Sequence, residues 1–248
     1  MTALSINLNK IALIRNSREG NYPDLIEHAQ RCIQYGANGI TVHPRPDQRH
    51  IRPTDVRQLA ELVRPMPEIE FNIEGNPFAE PLADYPGLLA LVEETHPDQC
   101  TLVPDSNQQL TSDHGFNLKV QGEQLVPIIQ HIQSLGVRVS LFMDPDLEQI
   151  QLASEVGADR IELYTGPYAA AWGTDAFESL FQQHQAAAKL ANSLGLGVNA
   201  GHDLNLQNLG KFAEIENLLE VSIGHAFTVD SLNMGMESAI SSYRALLV

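Results

Sequence analysis

Positive charge is scarce in this sequence: 15 Lys and Arg stand against 31 Asp and Glu in 248 residues, a formal net charge of −16. A chain so acidic is repelled by phosphate backbones and by anionic membrane surfaces, which argues against nucleic acid or a membrane as its general partner. Cysteine is scarcer still. Cys32 and Cys100 both lie inside apolar-periodic segments and read as reduced core residues, not as a disulfide framework or a metal clip. No stretch approaches the ~20 apolar residues of a membrane span. The opening "MTALSINLNK" lacks a charged region followed by an apolar one, so no export signal is read and a cytoplasmic protein is expected. Low-complexity tracts and linkers are also missing. With 43% hydrophobic residues the chain can fill one sizeable core, and a single domain over 1–248 is expected.

What is present is an alternation that repeats to the end of the chain. β-rich runs occur at 4–8, 39–43, 69–74, 99–103, 137–143, 160–164, 196–200 and 219–224. Amphipathic stretches such as "DLIEHAQRCIQYG", "TDVRQLAELV", "GEQLVPIIQHIQSLG" and "DLEQIQLASEVG" separate them, three ending at a Gly placed as a helix stop. Eight βα units in a chain of this length predict an α/β fold of the single (β/α)8 TIM-barrel type, with a doubly wound open sheet as the structural alternative. Two segments exceed a minimal unit: 104–122 reads as a long loop on the active face, and 165–195 as a helical insertion able to serve an oligomer contact.

Barrels of this kind build their active sites at the C-terminal ends of the strands. The chain puts Asn7 and Asn9, His43, Glu74, Asp144, Glu162 and Thr165, His202 and His225 at or just beyond such ends. Histidine titrates near neutrality, and a carboxylate in a partly dry site can be raised toward it. His43 and Glu74, on neighbouring strands, therefore form a plausible acid/base pair. Glu162 could stabilise a developing cation or pair with a base near Arg160, and Asp144 reads most simply as a helix cap.

The sparse positive charge is also unevenly placed. Lys10, Arg15, Arg18, Arg31, Arg45, Arg49 and Arg52 all fall in the first 52 residues, and "HPRPDQRHI" at 43–51 concentrates two His and two Arg in one loop. Arg18, Arg45 and His50 are candidates for an anion, because a guanidinium fork matches phosphate oxygens. "NAGHD" and "SIGHA" end the last two strands. There Gly201 and Gly224 would let backbone N–H groups approach a second phosphate. His43, Glu74, His202 and His225 could in principle ligate a metal, but no close-spaced His/Asp/Glu cluster supports one, and none is expected.

Taken together, "NLNKIALIRNSR", "GITVHPRPDQRHI", "FNIEGNP", "LVPDSNQQLTSDHG", "GADRIELYTGPYA", "LGLGVNAGHDL" and "VSIGHA" resemble the pyridoxine 5′-phosphate synthase family over essentially the whole chain. The resemblance implies condensation of 1-deoxy-xylulose 5-phosphate with 3-amino-2-oxopropyl phosphate to pyridoxine 5′-phosphate, phosphate and water, with no metal or organic cofactor. It implies His43 and Glu74 as general bases, His202 as general acid and Glu162 as a transition-state stabiliser. Asn7 and Arg18 would hold the amino-ketone phosphate, and Arg45, His50 and Thr111 the sugar phosphate. Asp203, Gly224 and His225 would complete the phosphate end, and a homo-octamer would be the assembly. The chain departs from the commoner family pattern in Asn9-Lys10, where Asp-His is usual, in Asp203, where Gly is usual, and in "FTVDSL", where Gly-Arg is usual. We expect Lys10 to take over the substrate contact of the missing His, with Asn9 supplying a hydrogen bond that does not titrate. The alternatives are a barrel aldolase or isomerase acting on another phosphorylated sugar, and a non-catalytic paralogue that binds one.

Overall fold

The computed structural model describes residues 1–247. Eight strands, β1 (Ala3–Asn7), β2 (Gly39–Val42), β3 (Glu70–Gly75), β4 (Gln99–Leu102), β5 (Arg138–Met143), β6 (Arg160–Leu163), β7 (Gly197–Ala200) and β8 (Leu218–Ile223), pair in parallel and in chain order. β8 returns to β1 with Ser5 opposite Ser222, so the sheet is closed and the open-sheet alternative falls. The helices are α1 (Asn9–Asn16), α2 (Leu25–Gln34), α3 (Pro53–Val63), α4 (Leu88–Thr95), α5 (Leu118–Ser134), α6 (Leu147–Glu155), α7 (Gly166–Ala170), α8 (Phe177–Ser193), α9 (Leu209–Phe212), α10 (His225–Met234) and α11 (Met236–Ala245). The fold is a (β/α)8 TIM barrel with extra helices: α1 precedes the first crossover helix, α7 and α8 fill the 165–195 insertion, and α11 follows α10.

Local chemistry explains the helix limits. Asp24 caps α2 by accepting from the backbone N–H of Ile26 at 2.8 Å and of Glu27 at 3.1 Å. Asp146 caps α6 through Gln149 N–H at 3.0 Å. The expected cap, Asp144, instead accepts from Gly115 N–H at 3.2 Å, because the helix starts two residues later than that reading requires. Gly36, Gly136 and Gly157 stop α2, α5 and α6 at φ of +106°, +78° and +87°, the left-handed region open to a residue without Cβ.

The barrel interior is inverted in polarity. Strand positions such as Ile6, Ile40, Val42, Ile73, Leu141 and Val198 are buried in the apolar layer shared with the helices. The alternate positions face the lumen and are polar. Ser5 Oγ lies 2.8 Å from Thr41 Oγ1, and Thr101 donates to Asn72 Oδ1 at 3.0 Å. Bonds between strands that are not neighbours must cross the lumen: Asn199 of β7 donates to Gln99 of β4 at 3.3 Å, and Arg138 of β5 pairs with Glu70 of β3. Branched apolar residues fill such barrels more usually. Here a hydrogen-bonded polar column runs beneath the C-terminal mouth.

Candidate active site

A cavity of about 360 Å³ opens at that mouth. Asn7, Asn9, Lys10, His43, Arg45, His50, Glu74, Thr111, Glu162, His202, Asp203, Gly224 and His225 all line it. Of the residues expected to act on or bind substrate, only Arg18 is not brought there, and Asp144 and Thr165, also read at strand ends, lie outside the cavity lining. α1 ends at Asn16, where Arg15 and Asn16 are tied to the loop that follows β2, and Arg18 lies exposed beyond that anchor.

His43 is the centre of the arrangement. Its Nδ1 is 3.6 Å from Glu74 Oε2 and its Nε2 is 3.3 Å from Asp105 Oδ2, with all three side chains nearly buried. Asn7 donates to Glu74 Oε2 at 3.3 Å, and Asn9 Oδ1 accepts from the His43 backbone N–H at 2.9 Å. Asn9 thus braces the end of β2, a task that needs an acceptor but no charge. Asp105 was not legible as a site residue in the sequence, although it follows β4 as His43 follows β2.

The two loop arginines are already occupied. Arg45 forms an ion pair with Asp105 and donates to the carbonyls of Ser106 at 3.1 Å and Gln109 at 3.2 Å. Arg49 pairs with Asp47 and donates to the carbonyls of Asn107 and Gln109, both at 2.7 Å. Together they fasten the 104–117 segment as a roof beside the cavity. Lys10 differs: among the described residues its ammonium has no ion-pair or hydrogen-bond partner, and it faces the same space. His50 accepts from Ile51 N–H at 2.9 Å through Nδ1, which leaves Nε2 to carry the proton as a donor. Burial, then the nearby His43, Arg45, Arg49 and Lys10, pushes the His50 pKa down to about 3, so the ring is a neutral donor at neutral pH.

At the far side His202 lies edge-on to Phe142 and Tyr164, with ring centroids at 6.2 Å and 5.3 Å. Burial lowers its proton affinity, against the pull of Asp203 and Glu74, and Lys10 and His43 reinforce the lowering. Asp203 sits at φ +62°, the left-handed region that Asp tolerates better than most side chains and Gly adopts freely. Gly201 is required sterically, since a Cβ there would stand 2.2 Å from the Ser222 carbonyl oxygen of β8. Gly224 N-caps α10 against Asn7, and His225 opens that helix at the cavity rim, so unpaired N–H groups of the first turn are available to an anion. On the floor, Glu162 is held well above the usual carboxylate range by burial first, then by Glu74 and Glu220. Ser222 Oγ, also lining the floor, is buried with no hydrogen-bond partner, a second site group the sequence did not reveal. Among the described residues no three His, Cys, Asp or Glu side chains are grouped to hold a metal ion.

Comparison with known proteins decides between the alternatives. Residues 4–248 match the family described as pyridoxal phosphate biosynthesis protein PdxJ. The chain belongs to this family. It is 53% identical over 247 residues to the pyridoxine 5′-phosphate synthase of Xanthomonas campestris pv. campestris (strain B100), covering 99% of this chain and 96% of that one. The synthase of Xylella fastidiosa (strain M23) is 52% identical, covering 99% and 95%. Among solved structures, 3-hexulose-6-phosphate synthase from Salmonella typhimurium superimposes with a TM-score of 0.66 at 15% identity, covering 99% of this chain and 98% of that one. KGPDC from Streptococcus mutans does so at 0.63 and 11%, covering 100% and 97%. At such identities these two show the barrel fold alone.

Proposed function

We propose that this PdxJ-family chain condenses 1-deoxy-xylulose 5-phosphate with 3-amino-2-oxopropyl phosphate, closing the pyridine ring of pyridoxine 5′-phosphate. The observation that carries the reading is the pairing of His43 with Glu74 at the mouth of a cavity that also holds an unpaired Lys10 and the open N-terminus of α10. Two phosphates need two cationic or N–H-rich ends, and the proton transfers of carbonyl–amine condensation need a base between them.

In this reading His43 and Glu74 remove protons from the condensing carbons. His202 is neutral at rest because of its burial, so it takes up a proton from substrate before returning it to departing water. Glu162, pushed well above the usual carboxylate range by burial, places its carboxyl on the floor under the cationic imine, which its oxygens stabilise as the charge develops. Lys10, the His50 Nε2–H and Thr111 hold the sugar phosphate end. Asn7, Asp203, Gly224 and His225 frame the amino-ketone phosphate end. Arg45 acts from behind, by holding the roof segment and Asp105.

All chemistry is assigned to side chains, with no metal or organic cofactor. A cytoplasmic enzyme in one domain, acting on small phosphorylated substrates and assembled as a homo-octamer, completes the proposal. No helix among the described residues is long and apolar enough to cross a membrane. The test is incubation with both substrates, followed by product absorbance and phosphate release. Omitting either substrate abolishes both signals; product formed from one substrate alone contradicts the reading.

A further inference from the structure

Asp105 lies outside the expected set, yet its contacts are among the most closely built in the site. A single carboxylate oxygen, Oδ2, receives His43 Nε2 at 3.3 Å, Ser112 Oγ at 3.3 Å and the Arg45 guanidinium. The residue is 5% exposed, and its backbone carbonyl accepts from Asn76 Nδ2 at 2.6 Å, so the carboxylate is fixed from both sides. A neutral imidazole has one N–H, and the partner that receives it sets which nitrogen keeps the lone pair. Asp105 is nearer to His43 than Glu74 is, at 3.3 Å against 3.6 Å. A proton on Nε2 would lie against this carboxylate and leave Nδ1, the atom facing Glu74, as the basic one.

Resting on the ring-closing reading above, we propose that Asp105 is a positioning residue: it holds His43 by Nε2, makes Nδ1 the base, and ties that base to the roof segment following β4. Arg45 and Arg49 fasten the same segment through the carbonyls of 106, 107 and 109, so seating the roof and setting the base are one event. Other charged or titrating groups surround His43. They are Lys10 from α1, Arg45 and His50 from its own loop, Glu74 from β3, Glu162 from β6 and His202 beyond β7. Among the described residues Asp105 alone places a carboxylate oxygen against Nε2.

The experiment compares the full-length wild-type chain with Asp105→Asn and Asp105→Glu. Asn keeps the shape and removes the charge. In Asp105→Asn we expect kcat to fall about 10- to 100-fold, the usual cost of losing an orienting partner. The Michaelis constants of both substrates should stay within about threefold. The ¹⁵N resonances of the His43 ring should shift away from the Nε2-protonated tautomer, because a neutral amide oxygen accepts that N–H more weakly than a carboxylate does. Asp105→Glu should recover part of the rate. A reduced rate with an unchanged His43 tautomer would make Asp105 a loop support. Tighter binding of inorganic phosphate at undiminished kcat would make it only the counter-ion of Arg45. Either result overturns the assignment. If the wild-type chain forms no pyridoxine phosphate, the functional reading fails by itself. The positioning role is then decided by the same ¹⁵N resonances of the His43 ring, which must shift in Asp105→Asn.

Discussion

Replacing Lys10 by Ala tests the anion site at its least entangled point. Arg45 and Arg49 are bonded to carboxylates and loop carbonyls, so their removal would disturb the roof as well as any ligand. Lys10 lines the same cavity and holds nothing. Its loss should leave stability within about 0.5 kcal/mol, as for a side chain without structural contacts. The melting temperature should then move by about 2 °C or less for a chain of this size. Binding should respond far more. A hydrogen bond from an ammonium to a phosphate contributes about 1.5–3 kcal/mol, or roughly 10- to 150-fold in affinity. The assay is the Michaelis constant for each phosphorylated substrate, measured separately in wild type and Lys10→Ala at low and high salt. We expect the increase for one substrate only. The half-buried setting should keep most of it when salt shortens the screening length to a few ångströms. Unchanged constants for both substrates would refute the reasoning, as would a rise accompanied by an equal loss of stability. Arg45→Lys should behave differently, weakening sugar-phosphate binding by loosening the roof even though the charge is kept.

Asp55→Asn should lower stability by about 3–5 kcal/mol, because it strands the fully buried Arg15 guanidinium that Asp55 now pairs at 2.6 Å and 2.9 Å; thermal unfolding reads this as a drop of about 6–20 °C. Gly201→Ala forces a Cβ to within 2.2 Å of the Ser222 carbonyl and should cost about 1–3 kcal/mol together with activity, since His202 is the next residue; wild-type melting would show that β7 and β8 separate freely. Burial raises the Glu220 pKa to about 7, so the folded chain binds a proton more tightly than the unfolded one and stability falls as pH rises from about 4.5 to 7. Glu220→Gln should make that fall shallower in urea midpoints at pH 5 and pH 7.5, and an identical slope would contradict the assignment.

The sequence read the barrel well because the strands are built on β-branched or apolar residues at alternate positions and α2, α5, α6 and α8 are each followed by a glycine stop. Strand limits differ from the expectation by one residue at most ends, as at β2, where His43 falls just outside the ladder. That His43, His50, His202 and His225 share one cavity was legible because histidine has little reason to recur at strand ends otherwise. Asp105 was hidden inside "VPDSNQQL", where Pro, Asp, Ser and Asn have turn-forming uses that mask any other role. Arg15 was hidden too: an arginine in a short helix reads as solvated surface, and its partner Asp55 stands 40 residues away at the start of α3.

The polarity of the lumen was illegible for a deeper reason. Alternation along "LSIN" or "EFNIE" shows that a strand has two unlike faces, but not which face turns inward. In most half-buried strands the apolar face is the inner one. Here the apolar face meets the helices and the polar face closes on itself. That inversion gives the site its electrostatics. Glu162 has Phe142 and Asn199 as strand neighbours and Glu74 and Glu220 as nearby charges, with Arg160 committed lower down to Glu220 and Asn199. With no cation beside it, burial and these like charges push the carboxyl well above its usual range, and a cationic group of the substrate would draw it back. A strand-end glutamate of the same sequence above an apolar lumen would be equally desolvated, but would lack the pressure from Glu220. The raised carboxyl on the floor therefore owes its main push to burial and a further push to the polar column, and no local motif encodes the second.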